Sequence, residues 1–337
     1  MTIIYAIIIF CVLIFVHEFG HFAAAKACGV KVNEFAIGMG PAFFKKQKGE
    51  TLYSLRLFPI GGFCAMEGED EDSEDERAFN RKPAWQRAIV LAAGAFMNLL
   101  TAVILMIIIA MWSGQATTVV DQVMDDSPAY EAGIKTGDEI VEIDGIEIKE
   151  WNDIINVIGA SKEETADIIV IRNGSELSIR SDMIYDEETG RNKIGIMPQI
   201  RHNIIDATID GVKNTGQMTV MMYDIIKKLF TGEVSTKELS GPVGIVYAVN
   251  DTAKAGVIYV VYLSALLSLN LAIMNMLPFP ALDGGRLLFL LIRKITGKRV
   301  TDEMEGKIHF IGIVLLMMLM VYVTWNDIVK FIVPLFS

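Results

Sequence analysis

Two histidines and a glutamate stand inside an apolar run that carries no other charge. Residues 3–25 contain His17, Glu18 and His21 and otherwise only uncharged, mostly apolar side chains. A run of this length can cross a bilayer, whose hydrocarbon core takes about 20 apolar residues of helix. Ionisable groups at that depth are costly and mark function. The run therefore restricts the chain to an integral membrane protein built around a polar site. His17 and His21 are four residues apart and share one helix face. Their two imidazoles can hold one Zn²⁺. Glu18 projects beside them, where it can take a proton from a water polarised by the metal. A purely structural reading leaves three polar groups in lipid without a purpose.

Three further stretches can span: residues 88–112, 256–279 and 308–325. The hydrophobic share of 52% fits an integral membrane protein with a sizeable polar part. The net charge of −11 argues against nucleic acid as a partner. Cys11, Cys28 and Cys64 form no CxxC pair, so neither a disulfide framework nor a thiolate zinc site is expected. The first run lacks a basic segment ahead of it and reads as a retained helix, not a signal peptide. Lysines and arginines cluster between the first two spans, from Lys26 to Arg87, and between the last two, from Arg286 to Lys307 with Lys298 and Arg299. By the positive-inside rule both short loops face the cytoplasm. The termini and the long loop of residues 113–254 then face outward, and the metal site lies toward the cytoplasmic side.

Within the first loop, residues 52–58 and 63–66 read as two strands with Pro59-Ile60-Gly61-Gly62 turning between them. This hairpin is apolar enough to associate with the membrane. The acidic run from Glu67 to Glu76 reads as a solvated linker. In the long loop, Gly133, the Gly137-Asp138 turn and Asp144-Gly145 punctuate short strands and helices. That pattern resembles the circularly permuted PDZ domains of bacterial proteases over residues 117–198, a fold that binds extended peptides at a sheet edge. Residues 204–230 place apolar side chains, several of them methionine, at helical spacing, as core or membrane-surface contact. Gly94 and Asn98 suit close packing and an interhelical hydrogen bond in the second span. His202 and His309 lack a ligand-like neighbour and read as a surface and an interfacial residue.

The third span runs into Asn275-Met276-Leu277-Pro278-Phe279-Pro280-Ala281-Leu282-Asp283-Gly284. Two prolines break the helix, and broken backbone at that depth is tolerable only where protein or water satisfies it. Asp283 follows at the cytoplasmic end, where it can meet His17 and His21. Two histidines and one carboxylate leave a fourth zinc position open, as in catalytic sites. The His-Glu-x-x-His spacing is that of metalloproteases. Together with the Asn-x-x-Pro-x-Pro-x-Leu-Asp-Gly segment it resembles the site-2 protease family of intramembrane zinc metalloproteases. The bacterial regulator-of-sigma-E protease group, here with a single PDZ domain, is the nearest match in pattern.

The resemblance implies that His17, His21 and Asp283 ligate zinc and that Glu18 is the catalytic acid/base. It suggests that Asn275 contacts the substrate backbone. It matches Gly38-Met39-Gly40 to a family loop and the hairpin with Gly61 and Gly62 to a membrane re-entrant β-loop, both implicated in holding substrate as an extended strand. The second span reads Gly94-Ala95-Phe96-Met97-Asn98, without the proline the family has after the glycine.

The expected fold is a polytopic α-helical membrane protein with four transmembrane helices, one inserted extracytoplasmic PDZ domain and a membrane-associated β-hairpin. Its expected parts are residues 1–112 with the histidine helix, 117–198 as the PDZ domain, 199–254 as an amphipathic region and 255–337 with the aspartate segment. The expected activity is hydrolysis of peptide bonds within transmembrane segments, in the inner (cytoplasmic) membrane. Substrates would be single-pass proteins of the anti-sigma-factor kind, trimmed first by an upstream site-1 protease, or signal-peptide remnants. The alternatives are a non-catalytic PDZ adaptor, which needs no base at Glu18, and a metal transporter, which needs ligands along a path instead of at one depth.

Overall fold

The computed structural model describes residues 2–69, 73–235, 240–296 and 302–335. Part of the acidic run, residues 70–72, and the basic residues Lys298 and Arg299 lie outside them. In chain order the elements are α1 (Thr2–Ala27), β1 (Val32–Lys48), β2 (Thr51–Met66), α2 (Ala84–Ser113), β3 (Gln115–Val123), α3 (Pro128–Glu131), β4 (Glu139–Ile143), β5 (Ile146–Glu147) and α4 (Trp151–Ala160). There follow β6 (Thr165–Arg172), β7 (Ser175–Asp182), β8 (Ile184–Asp186), β9 (Arg191–Lys193), β10 (Ile196–Arg201), α5 (Ile204–Thr231), α6 (Pro242–Ala255), α7 (Val257–Met276), α8 (Asp283–Thr296) and α9 (Asp302–Asp327). The chain divides into two compact units, Met1–Ile109 with Gly211–Ser337, and Ala110–Asp210.

Among the described residues four helices are long and apolar enough to cross a membrane: Ile4–Ala27, Ala84–Ser113, Val257–Met276 and Met304–Ile332. These are the four stretches picked out by their lack of charge. The third ends three residues before its apolar run does. Leu277 is extended, as a residue before proline must be, and the chain does not regain a helix until Asp283.

The loop between α1 and α2 folds differently from the expected hairpin. Residues 52–55 and 62–65 do not pair with each other. They flank residues 34–37 of β1 on opposite sides, so Phe35 stands opposite both Tyr53 and Cys64. Residues 42–48 form the outer antiparallel partner of residues 51–56. Gly38 and Gly40, at φ of 85° and 82°, permit the reversal that makes this possible. Val30, Val32, Phe35, Cys64 and Met66 pack with Ala25 of α1 and with Val90 and Leu91 of α2 in one buried cluster. The small sheet is thereby fixed to α1 and α2.

Further along, Met218, Met222 and Ile226 of α5 pack against Ala102 of α2 and Leu269 and Ile273 of α7. The methionine stripe is therefore a helix-packing face. Helix α6 begins at Pro242, and the amides of Gly241 and Gly244 donate to Oδ2 of Asp327 at 2.9 and 2.7 Å. A buried carboxylate at a helix N-terminus answers both the free amides and the positive end of the dipole.

The second unit is a sheet in the order β10-β3-β4-β6-β7, with β5 paired to β4. Val120, Ile140, Ile143, Ile168 and Val170 are fully buried beneath α4, whose Ile154 and Ile158 close the core. Each such side chain contributes roughly 1.5–3 kcal/mol by leaving water. Arg172 donates from Nε and Nη2 to the two oxygens of Asp138, both at 2.7 Å, and from Nη2 to the Gly133 carbonyl at 2.8 Å. The Asp138 side chain is buried, so the guanidinium fork fixes the turn that joins α3 to β4.

Candidate metal centre

Helix α1 presents His17 and His21 one turn apart, with Nε2 to Nε2 at 3.2 Å. Asp283, the first residue of α8, brings Oδ2 to 3.2 Å from Nε2 of His17 and 3.4 Å from Nε2 of His21. Among the described residues these three form the one group of ligand-type side chains whose donor atoms converge, all within 4.8 Å of one another.

Their remaining contacts decide what the cluster can hold. Nδ1 of His21 lies 2.8 Å from the Val90 carbonyl. A carbonyl only accepts, so Nδ1 carries the proton and Nε2 of the neutral ring presents a lone pair. The side-chain amide of Asn98 lies 3.3 Å from Nδ1 of His17. Oδ1 of Asn98 is buried without a hydrogen-bond partner. Half a turn of that amide would let Oδ1 accept from a protonated Nδ1, freeing Nε2 of His17 in the same way. Two imidazole lone pairs and a carboxylate then point at one place, and Oδ2 of Asp283 has no hydrogen-bond partner of its own. Such a convergence repels itself unless a cation sits among the atoms. The donor set suits Zn²⁺, with both rings oriented from behind by α2.

Glycines make room for this geometry. A Cβ at Gly94 would run into the imidazoles of His17 and His21. One at Gly20 would run into the Ala93 backbone, so α1 and α2 touch without a side-chain cushion. Cβ atoms at Gly284 and Gly285 would strike the carbonyls of Met276, Leu277 and Phe279. The tight turn that delivers Asp283 depends on both. The missing proline after Gly94 leaves α2 a continuous helix from Ala84 to Ser113.

The other residues singled out from sequence are placed less uniformly. Glu18 leans on the sheet, and a Cβ added at Gly62 would meet both its Cγ and the Ala36 carbonyl. Gly61 has φ of 89° and faces Met39. Gly38 and Gly40 serve the reversal within the sheet, closed over by the Phe58 backbone and ring. Asn275 is half-buried in the last turn of α7 and belongs to no metal-type cluster among the described residues. His202 reaches the Met111 carbonyl at 2.9 Å and is exposed, as expected. His309, read as an interfacial residue, also has a specific partner: its Nδ1 accepts from the Ala281 amide at 2.8 Å. The i,i+4 spacing of Glu305 and His309 was the signal the sequence offered, and it does not point to the Ala281 amide, which is backbone.

The sequence model of peptidase family M50 matches residues 5–319. A Clostridium acetobutylicum protein, provisionally named a zinc metalloprotease, is 40% identical over 330 residues, covering 97% of this chain and 97% of that one. The regulator of sigma-W protease RasP of Bacillus subtilis is 32% identical over 413 residues, covering 97% of this chain and 98% of that protein. Among solved structures, the PDZ domain of an SdrC-like protein from Listeria monocytogenes is 27% identical with a TM-score of 0.23, covering 25% of this chain and 87% of that one.

Proposed function

Because this chain belongs to peptidase family M50, the site-2 proteases, we propose that His17, His21 and Asp283 hold its Zn²⁺ and that Glu18 moves the proton during intramembrane peptide-bond hydrolysis. The observation that carries the reading is the convergence of three ligand atoms from α1 and α8 within 4.8 Å. When bound, Zn²⁺ supplies Lewis acidity to the scissile carbonyl and acidity to the attacking water. Glu18, one residue along from His17, takes the proton of that water as it attacks and returns it to the leaving amine. Val90 and Asn98 keep the imidazoles turned inward while this happens.

A helical substrate shields its own amides and must unwind to be cut. Unwinding in lipid leaves amides and carbonyls without partners. A sheet edge can supply those partners by adding the substrate as a strand. Residues 62–66 end the small sheet on the side where Gly62 approaches Glu18, which supports Gly61 and Gly62 as substrate contacts. Gly38 and Gly40 then act by shaping that sheet, and Asn275 by bonding the substrate backbone near the metal.

The substrates we propose are single-pass membrane proteins, of the anti-sigma-factor kind after a first cut by a site-1 protease, or signal-peptide remnants. The name of the Bacillus subtilis relative supports the former. The protein works in the inner (cytoplasmic) membrane, with its termini and the PDZ unit of residues 117–198 outside and the metal centre toward the cytoplasm. The PDZ unit acts on access, by excluding bulky outer domains. Residues 1–112 and 255–337 form the catalytic halves, and residues 199–254 the amphipathic link between the PDZ unit and the second half. Cleavage of a single-pass model substrate by the purified, zinc-loaded protein tests the reading against Glu18→Gln. The variant should keep its zinc and lose about 10²–10⁴-fold in rate. Near wild-type cleavage would remove Glu18 from the mechanism.

A further inference from the structure

We infer that His309 is a positioning residue for the metal centre, holding the Ala281 peptide in the turn that aims Asp283. The inference rests on Asp283 being a zinc ligand.

Ala281 has φ of 77°. The other non-glycine residues with positive φ among those described are Asp126, Asp144 and Asn173. Aspartate and asparagine tolerate that region by bonding their own backbone, and alanine has no such means. Something outside the turn must hold it. The Ala281 N–H donates to Nδ1 of His309 at 2.8 Å. Without that acceptor a backbone amide beside a membrane-spanning helix would be left without a partner.

The histidine is itself held. For Nδ1 to accept, the proton of the neutral ring must sit on Nε2. Nε2 is buried without a hydrogen-bond partner, and Oε1 of Glu305, one turn back on α9, stands 3.7 Å away and favours that tautomer through its charge alone. Oε2 of the same carboxylate receives Arg293 of α8 at 2.6 Å. The Phe289 ring of α8 packs 5.6 Å from the imidazole, centroid to centroid. One turn on, Gly312 lets α9 lie directly against Pro280, whose carbonyl a Cβ would strike. Helix α9 thus braces Pro280 and Ala281 at two points. Beyond them Leu282 donates to the Phe279 carbonyl at 3.2 Å and Asp283 starts α8. The peptide at Ala281 therefore sets where the carboxylate points.

The test is the zinc affinity of the full-length purified protein, measured by competition with a chelator. His309→Phe keeps the ring contact with Phe289 and removes the acceptor. It should weaken zinc binding about 10–100-fold, as loss of a ligand-orienting partner does. His309→Asn can place an oxygen near the same N–H and should retain most of the affinity. Ala281→Gly, which adopts a left-handed turn unaided, should restore zinc binding in the His309→Phe background. Unchanged affinity in His309→Phe overturns the inference. So does a loss that neither His309→Asn nor the added Ala281→Gly recovers, because that marks a general packing defect of α9. Asp283→Ala separates the two levels. If it binds zinc like the wild type, the ligand assignment itself is wrong. If it loses zinc while His309→Phe does not, only the role of His309 falls.

Discussion

Nε2 of His17 lies 3.2 Å from Oδ2 of Asp283, although one belongs to the first helix and the other follows the third span. Neither end of the chain can complete the donor set alone. Asp283→Ala should therefore leave two imidazoles, too few to keep Zn²⁺ through dialysis, while helix content by circular dichroism stays as in the wild type. Full zinc occupancy in the dialysed variant would exclude Asp283 from the ligand set.

Gly94 gives a sharper test of the geometry, because it has no side chain to offer as a metal ligand. In an ordinary helix, alanine is better than glycine by about 1 kcal/mol. Here the added Cβ would occupy the place of the two imidazoles. Gly94→Ala should lose both zinc and cleavage in a protein that still inserts into membranes. A variant with wild-type zinc content would mean the rings have more room than the structure allows them.

In the second unit, burial alone would raise the Asp138 carboxyl, but the Arg172 fork and the Lys135 amide outweigh it and hold it below the ordinary value. A carboxyl depressed on folding contributes stability in full above its unfolded value, about 3.9. That contribution is lost as pH falls through the lower folded value. Acidification below about pH 4 should loosen this unit, read as faster hydrogen exchange at Val120 and Ile140. Asp138→Asn should remove that acid dependence. It should also cost stability toward the low end of about 3–5 kcal/mol, since Arg172 keeps partial access to water. Exchange rates equal to wild type at neutral pH would contradict this.

The basic residues within the first and third connections are the ground for the proposed orientation, with the β-rich unit outside. Protease added to cells with any outer envelope opened should cut within residues 115–201 and spare the segment from Lys45 to Arg87. The reverse pattern would invert the topology and put the metal centre on the wrong side.

Much of the centre was legible because its residues obey spacing rules. His17 and His21 share a face through the helical period, and Pro278 and Pro280 announce the break that delivers Asp283. Asn98 was legible as an interhelical bond, but not as a partner of His17, which needs the rotation of α2 about α1. The small sheet was misread at its pairing. The runs 52–58 and 63–66 look like a hairpin from their local turn, and only the reversal at Gly38 and Gly40 inserts β1 between them. His309 and Asp327 were opaque for a common reason. Each is bonded to backbone amides far away in sequence, and a backbone amide has no letter of its own.

The contact between α1 and α2 at Gly20 and Gly94 has a consequence for how this protein can vary. Lipid-facing positions on the same helices can exchange one apolar residue for another and lose little. Along this seam every substitution adds matter and none subtracts it. At Gly20 the opposing atoms are mainly the main chain of Ala93, and at Gly94 they are the metal-binding rings. No neighbouring side chain can be trimmed to compensate without giving up the metal. The seam should accept no drift at all, and two hydrogen atoms set its tolerance.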